Sequence, residues 1–337
     1  MTTIYDIAKA AGVSPTTVSR VLNNYPDVSK KTKEKIQKTI KELEYIPNTS
    51  ARSLSTKRSY LIGVLFSETL NLGVEHPFFA GVIEGFKNEL ATKGYDTMFI
   101  VNKLGDNEMG YLQHCKIRGV DGVCFFATKE DDRLEELLNS DIKSVTTDII
   151  HPGIPRICSD NYEGSRLAMT YLLNKGHTKN ACIMSQLNVL SSSERYEGVK
   201  KVYKEQGKTY DEKYLSLAMD FNIESGYQAI KELYARLEES EYPTAIYAAS
   251  DTIAIGVINY LKDIGKKVPE DVEVIGFDDI DLAAQFSPSI STIAQDRLEI
   301  GRVAARTLLK QIEGNKDFEV VETIKVPVKL ILRESTK

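Results

Sequence analysis

Residues 3–22 read TIYDIAKAAGVSPTTVSRVL, and their spacing predicts two short helices separated by a tight turn. Thr3 and Asp6 stand as a capping box, with Asp in place of Glu or Gln. Ser14 suits the N-cap and Pro15 the first position of the second helix. Apolar residues recur at helical spacing along both segments. A helix, a three-residue turn and a helix make the helix-turn-helix pattern.

A third helix is predicted over residues 30–43, which completes a three-helix miniature domain over residues 1–47. Residues 48–58 are polar and Ser-rich, and are either a short helix capped by Asn48 or an unstructured linker. The remaining residues, 59–337, form a separate core. The sequence therefore predicts a small head, a hinge and a large core.

Charge is distributed unevenly between these parts. The chain has a net charge of −5, yet residues 1–58 contain eleven Lys and Arg against five Asp and Glu. The rest holds 32 basic and 43 acidic residues. A basic head on an acidic body is typical of a nucleic-acid-binding module fused to another function, although a solvated pair of basic helices has the same composition.

From Leu61 onward, apolar strands alternate with amphipathic helices, beginning with LIGVLF at 61–66. This alternation predicts parallel sheets covered by helices on both faces. About 280 residues of it favour two α/β lobes, with the break near residues 159–161. Ligands of such folds bind in the crevice beyond the carboxyl ends of the strands, so Asp148, Ser250-Asp251 and Asp278 are candidate site residues.

Composition excludes several classes of protein. No run of 18 apolar residues is long enough for a membrane span, and the N-terminus lacks the pattern of a secretory signal, so we expect a cytoplasmic protein. The four Cys and four His show no metal-ligand spacing, and no nucleophile–base pair is visible. We therefore expect no metal, no cofactor and no enzymatic activity.

Longer motifs carry a family resemblance that covers nearly the whole chain. The head, followed by EYIPNTSARSL (44–54), RGVDGV (118–123), PTAIYAASDTIAIGV (243–257) and VPEDVEVIGFDDI (268–280), closely resembles the lactose-repressor/galactose-repressor family of bacterial regulators. The resemblance implies an all-α helix-turn-helix head, a hinge helix and an α/β two-lobed core with parallel sheets, like a periplasmic binding protein. It also implies a homodimer on a pseudo-palindromic operator.

The same resemblance divides the core between its lobes. Lobe one is expected over residues 60–159 and 291–321, and lobe two over residues 160–290 and 322–337. The chain would therefore cross between the lobes three times, near residues 160, 290 and 322.

The resemblance implies roles for residues of the head and the hinge. Arg20 is the candidate for reading guanine, with a phosphate contact as the alternative. Leu54 is expected to wedge between base pairs from the minor groove, rather than to be an exposed linker leucine. Other positions implied to contact DNA are Thr3, Tyr5, Ser14, Pro15, Thr16, Thr17, Ser19, Asn23, Asn48 and Ala51.

Within the core, the resemblance places a small-molecule effector between the lobes. Asp148, Arg195 and Asp278 are expected to bind it through hydrogen bonds. Alternative roles are an ion pair between the lobes for Arg195 and a helix N-cap for Asp278. The remaining expected contacts are Phe78, Phe79, Phe221, Ser250 and Asp251, with a place in the apolar core as the alternative for Phe78 or Phe79.

The sequence thus predicts a sequence-specific DNA-binding regulator, in the form of a repressor, controlled by a small molecule. Carboxylate acceptors, one Arg donor and an aromatic plate favour a sugar. A purine is the alternative effector, because Phe78 or Phe79 can stack on a flat base. A sugar receptor without a DNA role, or an enzyme, is the alternative class; a DNA shift assay and a turnover assay respectively distinguish them.

Overall fold

The computed structural model describes residues 2–22, 25–45, 58–66, 76–126, 132–314 and 322–337. The chain divides into two compact units, residues 1–60 and residues 61–337. The boundary lies two residues after the predicted start of the core, and most of the predicted hinge lies outside the described residues. Within the described part of the chain, no helix has the length and apolar character needed to cross a membrane.

The first unit contains three helices: α1 (Ile4–Ala11), α2 (Pro15–Leu22) and α3 (Lys30–Glu42). The predicted capping box is confirmed, because the Asp6 carboxylate accepts from the Thr3 backbone N–H at 2.9 Å while the Thr3 side chain accepts from the Asp6 N–H. The three helices share a small apolar core, which consists of Ile7, Ala8, Ala11, Val18, Val21 and Ile36.

The second unit contains two six-stranded sheets, one for each lobe. The sheet of lobe one has the order β13-β7-β6-β5-β1-β2, and all its strands are parallel. Its strands are β1 (Leu61–Phe66), β2 (Asp96–Ile100), β5 (Gly122–Phe126), β6 (Lys143–Thr146), β7 (Arg156–Ser159) and β13 (Thr323–Val326).

The sheet of lobe two has the order β14-β12-β11-β10-β8-β9, and among its described strand pairs only β12–β14 is antiparallel. Its strands are β8 (Asn180–Met184), β9 (Leu215–Leu217), β10 (Ala245–Ala248), β11 (Glu273–Asp278), β12 (Ser291–Gln295) and β14 (Val328–Ile331). Parallel sheets covered by helices confirm the predicted fold class.

Helices cover both sheets. Those that pack on lobe one are α4 (Pro77–Ala91), α5 (Tyr111–Arg118), α6 (Glu135–Leu138) and α12 (Arg297–Glu313). Those of lobe two are α7 (Asn161–Asn174), α8 (Leu190–Glu205), α9 (Ile223–Arg236), α10 (Asp251–Asp263) and α11 (Asp281–Gln285). Single 3₁₀ turns occupy Asp132–Leu134, Glu212–Tyr214 and Glu239–Glu241.

The sequence pattern predicts a helix near 106–118 and another over 223–240, and both have different bounds in the structure. The helix expected at 106–118 begins only at Tyr111, because a two-stranded hairpin, β3 (Lys103–Leu104) and β4 (Asn107–Glu108), precedes it. Gly105 turns this hairpin with a φ of 64°, a conformation that favours glycine. The helix expected at 223–240 ends at Arg236, because Leu237 adopts an extended backbone and buries its side chain.

The predicted crossovers near residues 290 and 322 are wrong by a few residues. Strand β12 (291–295) pairs with β11 and β14, so it belongs to lobe two, and the chain leaves that lobe only after Gln295. Helix α12 and β13 then complete lobe one, and β14 returns to lobe two after Pro327. Sheet pairing decides these positions, and apolar runs alone do not reveal which sheet a strand joins.

Helices α4 and α12 cross in backbone contact on lobe one. A Cβ atom added to Gly301 would lie 2.0 Å from the Val82 carbonyl oxygen, and one added to Gly85 would lie 2.1 Å from the Leu298 carbonyl oxygen. Glycine at both positions is therefore what permits the close approach. Phe78 and Phe79, near the N-terminal end of α4, line the cavity described next.

Candidate functional site

A cavity lies between the two lobes, at the carboxyl ends of several parallel strands. It encloses about 600 Å³ of free space, its open mouth included. Lobe one contributes His76, Phe78, Phe79, Thr147, Asp148, Ile157, Cys158, Ser159 and Ile300. Lobe two contributes Asn161, Val189, Ser191, Arg195, Phe221, Asp278 and Gln295.

Arg195, on α8, is the one Lys or Arg side chain that lines this cavity in the described part of the chain. Its Nε donates to Asn161 Oδ1 at 2.9 Å, and its Nη1 donates to the Ala249 carbonyl. The guanidinium plane lies 3.7 Å above the centre of the Phe277 ring. These contacts hold the side chain rigidly against lobe two, so the alternative role in an ion pair between the lobes does not apply.

Asp278 ends β11 and faces the cavity with its side chain buried. Its Oδ1 accepts from Gln295 Nε2 at 2.5 Å. Burial raises the pKa of this carboxyl, while the charges of Arg195 and His76 oppose the rise. The N-cap of α11 is Ile280, so the alternative role of Asp278 as that cap does not apply.

Asp148 lies on the opposite wall, two residues after β6. Burial raises the pKa of its carboxyl as well, and the nearby Arg156 and Arg195 charges counteract this. The cavity therefore presents one carboxyl from each lobe. Both are acceptors for hydroxyl or N–H donors on a ligand.

Three aromatic rings complete the walls. Phe79 is buried and packs edge-to-face against Phe66 at 5.7 Å and Phe126 at 5.6 Å, so it forms part of the floor. Phe78 is only partly buried and lies beside it at 5.1 Å. Phe221 is partly buried on the side of lobe two, just before α9. The cavity combines apolar faces with a few polar groups, as ligand sites do.

On the head, helix α2 presents Thr16 and Arg20 to solvent, one turn apart. The Arg20 guanidinium forms an ion pair with Asp27 at 2.7 Å and lies over the Tyr25 ring at 5.7 Å. Its side chain remains half exposed. In the free head, Arg20 is therefore held beside α2 by weak surface contacts with Asp27 and Tyr25, and DNA can displace these contacts.

Other predicted DNA contacts have varied positions in the head. Tyr5 is 71% exposed, while Thr17 and Ser19 are partly buried. The Thr3 hydroxyl donates to Asp6, and the Ser14 hydroxyl lies 2.8 Å from that of Thr17. Pro15 occupies the first position of α2 as expected. The predicted residues Asn23, Asn48, Ala51 and Leu54 lie outside the described residues.

Comparison with known proteins assigns the helix-turn-helix head and the core with its cavity to one protein family. Residues 3–48 match the model of bacterial regulatory proteins, lacI family, and residues 169–336 match a periplasmic binding protein-like domain. The HTH-type transcriptional repressor PurR of Aliivibrio fischeri is 35% identical over 326 residues, which cover 95% of this chain and 94% of that protein. The chain belongs to the lacI family of bacterial regulators. The predicted family and DNA-binding regulator function are confirmed.

Two further relatives extend over the full length of this lacI-family chain. The ribose operon repressor of Halalkalibacterium halodurans is 36% identical over 339 residues, covering 100% of this chain and 98% of that protein. The crystal structure of the lac repressor dimer bound to operator and an anti-inducer is 27% identical, covers 99% of each chain and superposes with a TM-score of 0.78. Head and core thus match together.

Two predicted effector contacts of this lacI-family core are not at the cavity. Ser250 Oγ caps α10 by accepting from the Ile253 N–H at 3.2 Å. Asp251 Oδ2 accepts from the Ile280 N–H at 2.9 Å, and its Oδ1 from the Thr292 hydroxyl at 2.5 Å. Both residues are fully buried and lie outside the lining. Helix capping occupies the Ser250 hydroxyl, and the bonds to Ile280 and Thr292 occupy the Asp251 carboxylate.

Several lining residues are not among the site residues predicted from the sequence. Thr147 and Ser159 follow or end strands of lobe one, so the rule that selected Asp148 also selects them. Gln295 ends β12, and the misplaced crossover assigned this strand to the wrong lobe. His76 and Asn161 carry no local sequence signal of this kind.

We expect the Asp278→Asn variant to be more stable than the wild type at neutral pH. Folding raises the pKa of Asp278. The protonated carboxyl therefore contributes fully to the stability of the fold only below its unfolded pKa, and this contribution is lost as pH rises through the folded pKa. Ionised Asp278 therefore lowers stability at pH 7, whereas Asn still accepts from Gln295. Thermal unfolding at pH 7 and pH 3 measures the difference, which should shrink in acid. The exposed Asp281→Asn is the control, and equal behaviour of both variants would contradict the prediction.

Proposed function

We propose that this chain is a homodimeric, cytoplasmic repressor whose affinity for its operator is controlled by a neutral sugar bound between the lobes. The observation that carries the proposal is the full-length match of head and core to repressors, together with the composition of the cavity. One head alone binds DNA weakly, and two heads on a dimer multiply affinity through effective concentration.

The charges around the cavity favour a neutral ligand. Arg195 already directs two of its nitrogens to protein acceptors, while Asp148 and Asp278 add two carboxyls. A phosphate or carboxylate would meet more negative than positive charge here. Hydroxyl donors of a sugar match the two carboxyl acceptors, and Phe221 offers an apolar surface to the C–H face of a sugar ring.

A purine is the second candidate effector. Several of the similar proteins are named PurR, at 33–35% identity over nearly their whole length. The aromatic side chains Phe78 and Phe221 offer faces on which a flat base can stack. Calorimetric titration of the full-length chain with aldopentoses, aldohexoses and hypoxanthine decides between the classes. Binding of hypoxanthine without binding of any sugar would overturn the sugar proposal.

DNA binding tests the head directly. Each phosphate neutralised by Lys or Arg contributes a slope of about −0.9 to log K against log salt, so we expect a slope of several units for a dimer. The measurement is a shift assay with operator duplexes, selected from a random pool, between about 50 and 200 mM salt. The pool should return pseudo-palindromic sites. A slope near zero, or no selected site, would contradict the proposal.

A further inference from the structure

Two residues that line the cavity have buried hydroxyl groups without a partner among the described residues. Thr147 is 5% exposed and Ser159 is 2% exposed, yet neither side-chain oxygen has a hydrogen-bond partner among the described residues. Both residues line the cavity. A buried polar group left unpaired costs about 1–3 kcal/mol, so native proteins rarely keep one without a reason.

The local backbone directs these groups to one wall. Strands β6 and β7 are neighbours in the sheet of lobe one, and Thr147 and Ser159 lie at their carboxyl ends. The Thr147 N–H donates to the Phe125 carbonyl at 3.2 Å, and its carbonyl accepts from Arg156 Nε at 3.0 Å. The backbone of Thr147 is thus satisfied on both sides, and its hydroxyl alone has no partner among the described residues.

A third unpartnered group stands on the same lobe. Both ring nitrogens of His76 are buried and make no hydrogen bond of normal geometry among the described residues, although the Phe221 backbone lies close by. Burial lowers the pKa of His76, so the ring is neutral and carries one donor and one acceptor. Like the two hydroxyls, it can serve a partner that both donates and accepts.

These three groups share one chemical property. A hydroxyl or a neutral imidazole gives and takes hydrogen bonds, and so does each hydroxyl of a sugar. A purine edge instead presents donors and acceptors in a fixed pattern. Across the cavity, Arg195 and Asp278 present a charged donor and a charged acceptor. The ligand must therefore present polar groups to both lobes at once.

We propose that Thr147, Ser159 and His76 form a subsite on lobe one that binds neighbouring hydroxyl groups of a monosaccharide. The inference rests on the proposed function and names the wall that recognises the ligand. Since lobe two holds the opposite side, a bound sugar adds hydrogen bonds between the lobes to the Arg156–Glu194 ion pair that already joins them.

The test uses the full-length chain and three single variants. Thr147→Val and Ser159→Ala remove the proposed contacts. Ser185→Ala is the matched control, because the Ser185 hydroxyl is equally buried and unpartnered but lies outside the cavity lining. Without ligand, all three variants should have an unchanged or higher melting temperature, since each loses an unsatisfied polar group.

Calorimetry with D-ribose, D-glucose and hypoxanthine as probes gives the deciding readout. For the sugar that binds, we expect Thr147→Val and Ser159→Ala each to lose about two- to tenfold in affinity. Ser185→Ala should bind like the wild type. A deoxy sugar lacks one of the hydroxyl groups that the subsite binds. In one of the two cavity variants, this deoxy sugar should show no further loss of affinity, because the hydroxyl and its protein partner have then both been removed.

Several outcomes overturn the subsite. The subsite is contradicted if the sugar affinity of Thr147→Val and of Ser159→Ala stays within twofold of the wild type. It is also contradicted if Ser185→Ala loses as much sugar affinity as these two variants. Binding of hypoxanthine alone, or of none of the probes, also contradicts it. The operator shift assay on the same preparations separates these results from failure of the proposed function. If the wild type binds operator and sugar, and Thr147→Val and Ser159→Ala leave sugar affinity unchanged, the proposed function stands and only the subsite is contradicted.

Discussion

The Glu194→Ala variant is expected to lower the free energy of unfolding of the core by about 3–5 kcal/mol, because it leaves a buried guanidinium without its partner. Arg156, on β7 of lobe one, donates from Nη1 and Nη2 to the two Glu194 carboxylate oxygens at 2.6 and 2.9 Å. The Arg156 side chain is 2% exposed and that of Glu194 is 24% exposed. Asn161 Nδ2 adds a third bond to the carboxylate at 2.9 Å.

Chemical denaturation of the full-length chain measures this loss, and the chain offers a matched control. Arg166 and Glu163 form the same two-bonded pair at 2.7 and 2.8 Å, but about a third of each side chain is exposed. Glu163→Ala should therefore cost no more than about 1 kcal/mol. The double variant Arg156→Met with Glu194→Leu should recover much of the loss. Equal losses of unfolding free energy in Glu194→Ala and Glu163→Ala would contradict this prediction.

The sign of the pH dependence follows from the same pair. Burial alone would raise the pKa of Glu194, but the Arg156 guanidinium holds it below its usual value. The stabilisation is thus fully present above the unfolded pKa of about 4.3 and is lost as pH falls through the folded pKa. The gap between wild type and Glu194→Ala should accordingly close in acid.

Replacing Arg20 with alanine is expected to produce the largest loss of DNA binding in the head. A bidentate contact to guanine contributes about 1–3 kcal/mol, and a dimer carries two such side chains. The present partners of Arg20 are the half-exposed Asp27 and the ring of Tyr25, so the variant should change the stability of the head little. Competition shift assays against operators mutated at single positions measure the effect.

The pattern of loss distinguishes the two roles of Arg20. Direct reading predicts that preference at one position of each half-site relaxes, whereas a phosphate contact predicts a uniform loss and a salt slope shallower by about one per head. Lys38→Ala is the control, because Lys38 is 79% exposed on α3 and carries the same charge on another helix. Base preference that relaxes equally in Lys38→Ala would contradict a reading role for α2.

Local signals in the sequence were sufficient for most of the fold. The capping box at Thr3 and Asp6 and the apolar strand at 61–66 appear in the structure as predicted. Helix ends were predicted less well where tertiary packing decides them. At Leu237, for example, burial in the core ends a helix that the sequence pattern would continue.

The cavity was predicted only in part, for a physical reason. Arg195 and Asp278 line it as expected, and polar residues at strand ends are a useful guide. Ser250 and Asp251 follow the same rule but are consumed by helix capping and by bonds to Ile280 and Thr292. Whether a polar atom faces a ligand or a neighbouring backbone depends on contacts across the sheet, which no local pattern contains.

The interleaved course of the chain through the lobes has a consequence for synthesis on the ribosome. The three helices of the head involve only residues before 43, so the head can fold as soon as it emerges. Lobe one lacks its last strand until residue 326 has been made, and lobe two lacks β14 until residue 331. During most of translation, therefore, a nascent chain can carry a folded DNA-reading head but no finished lobe to control it.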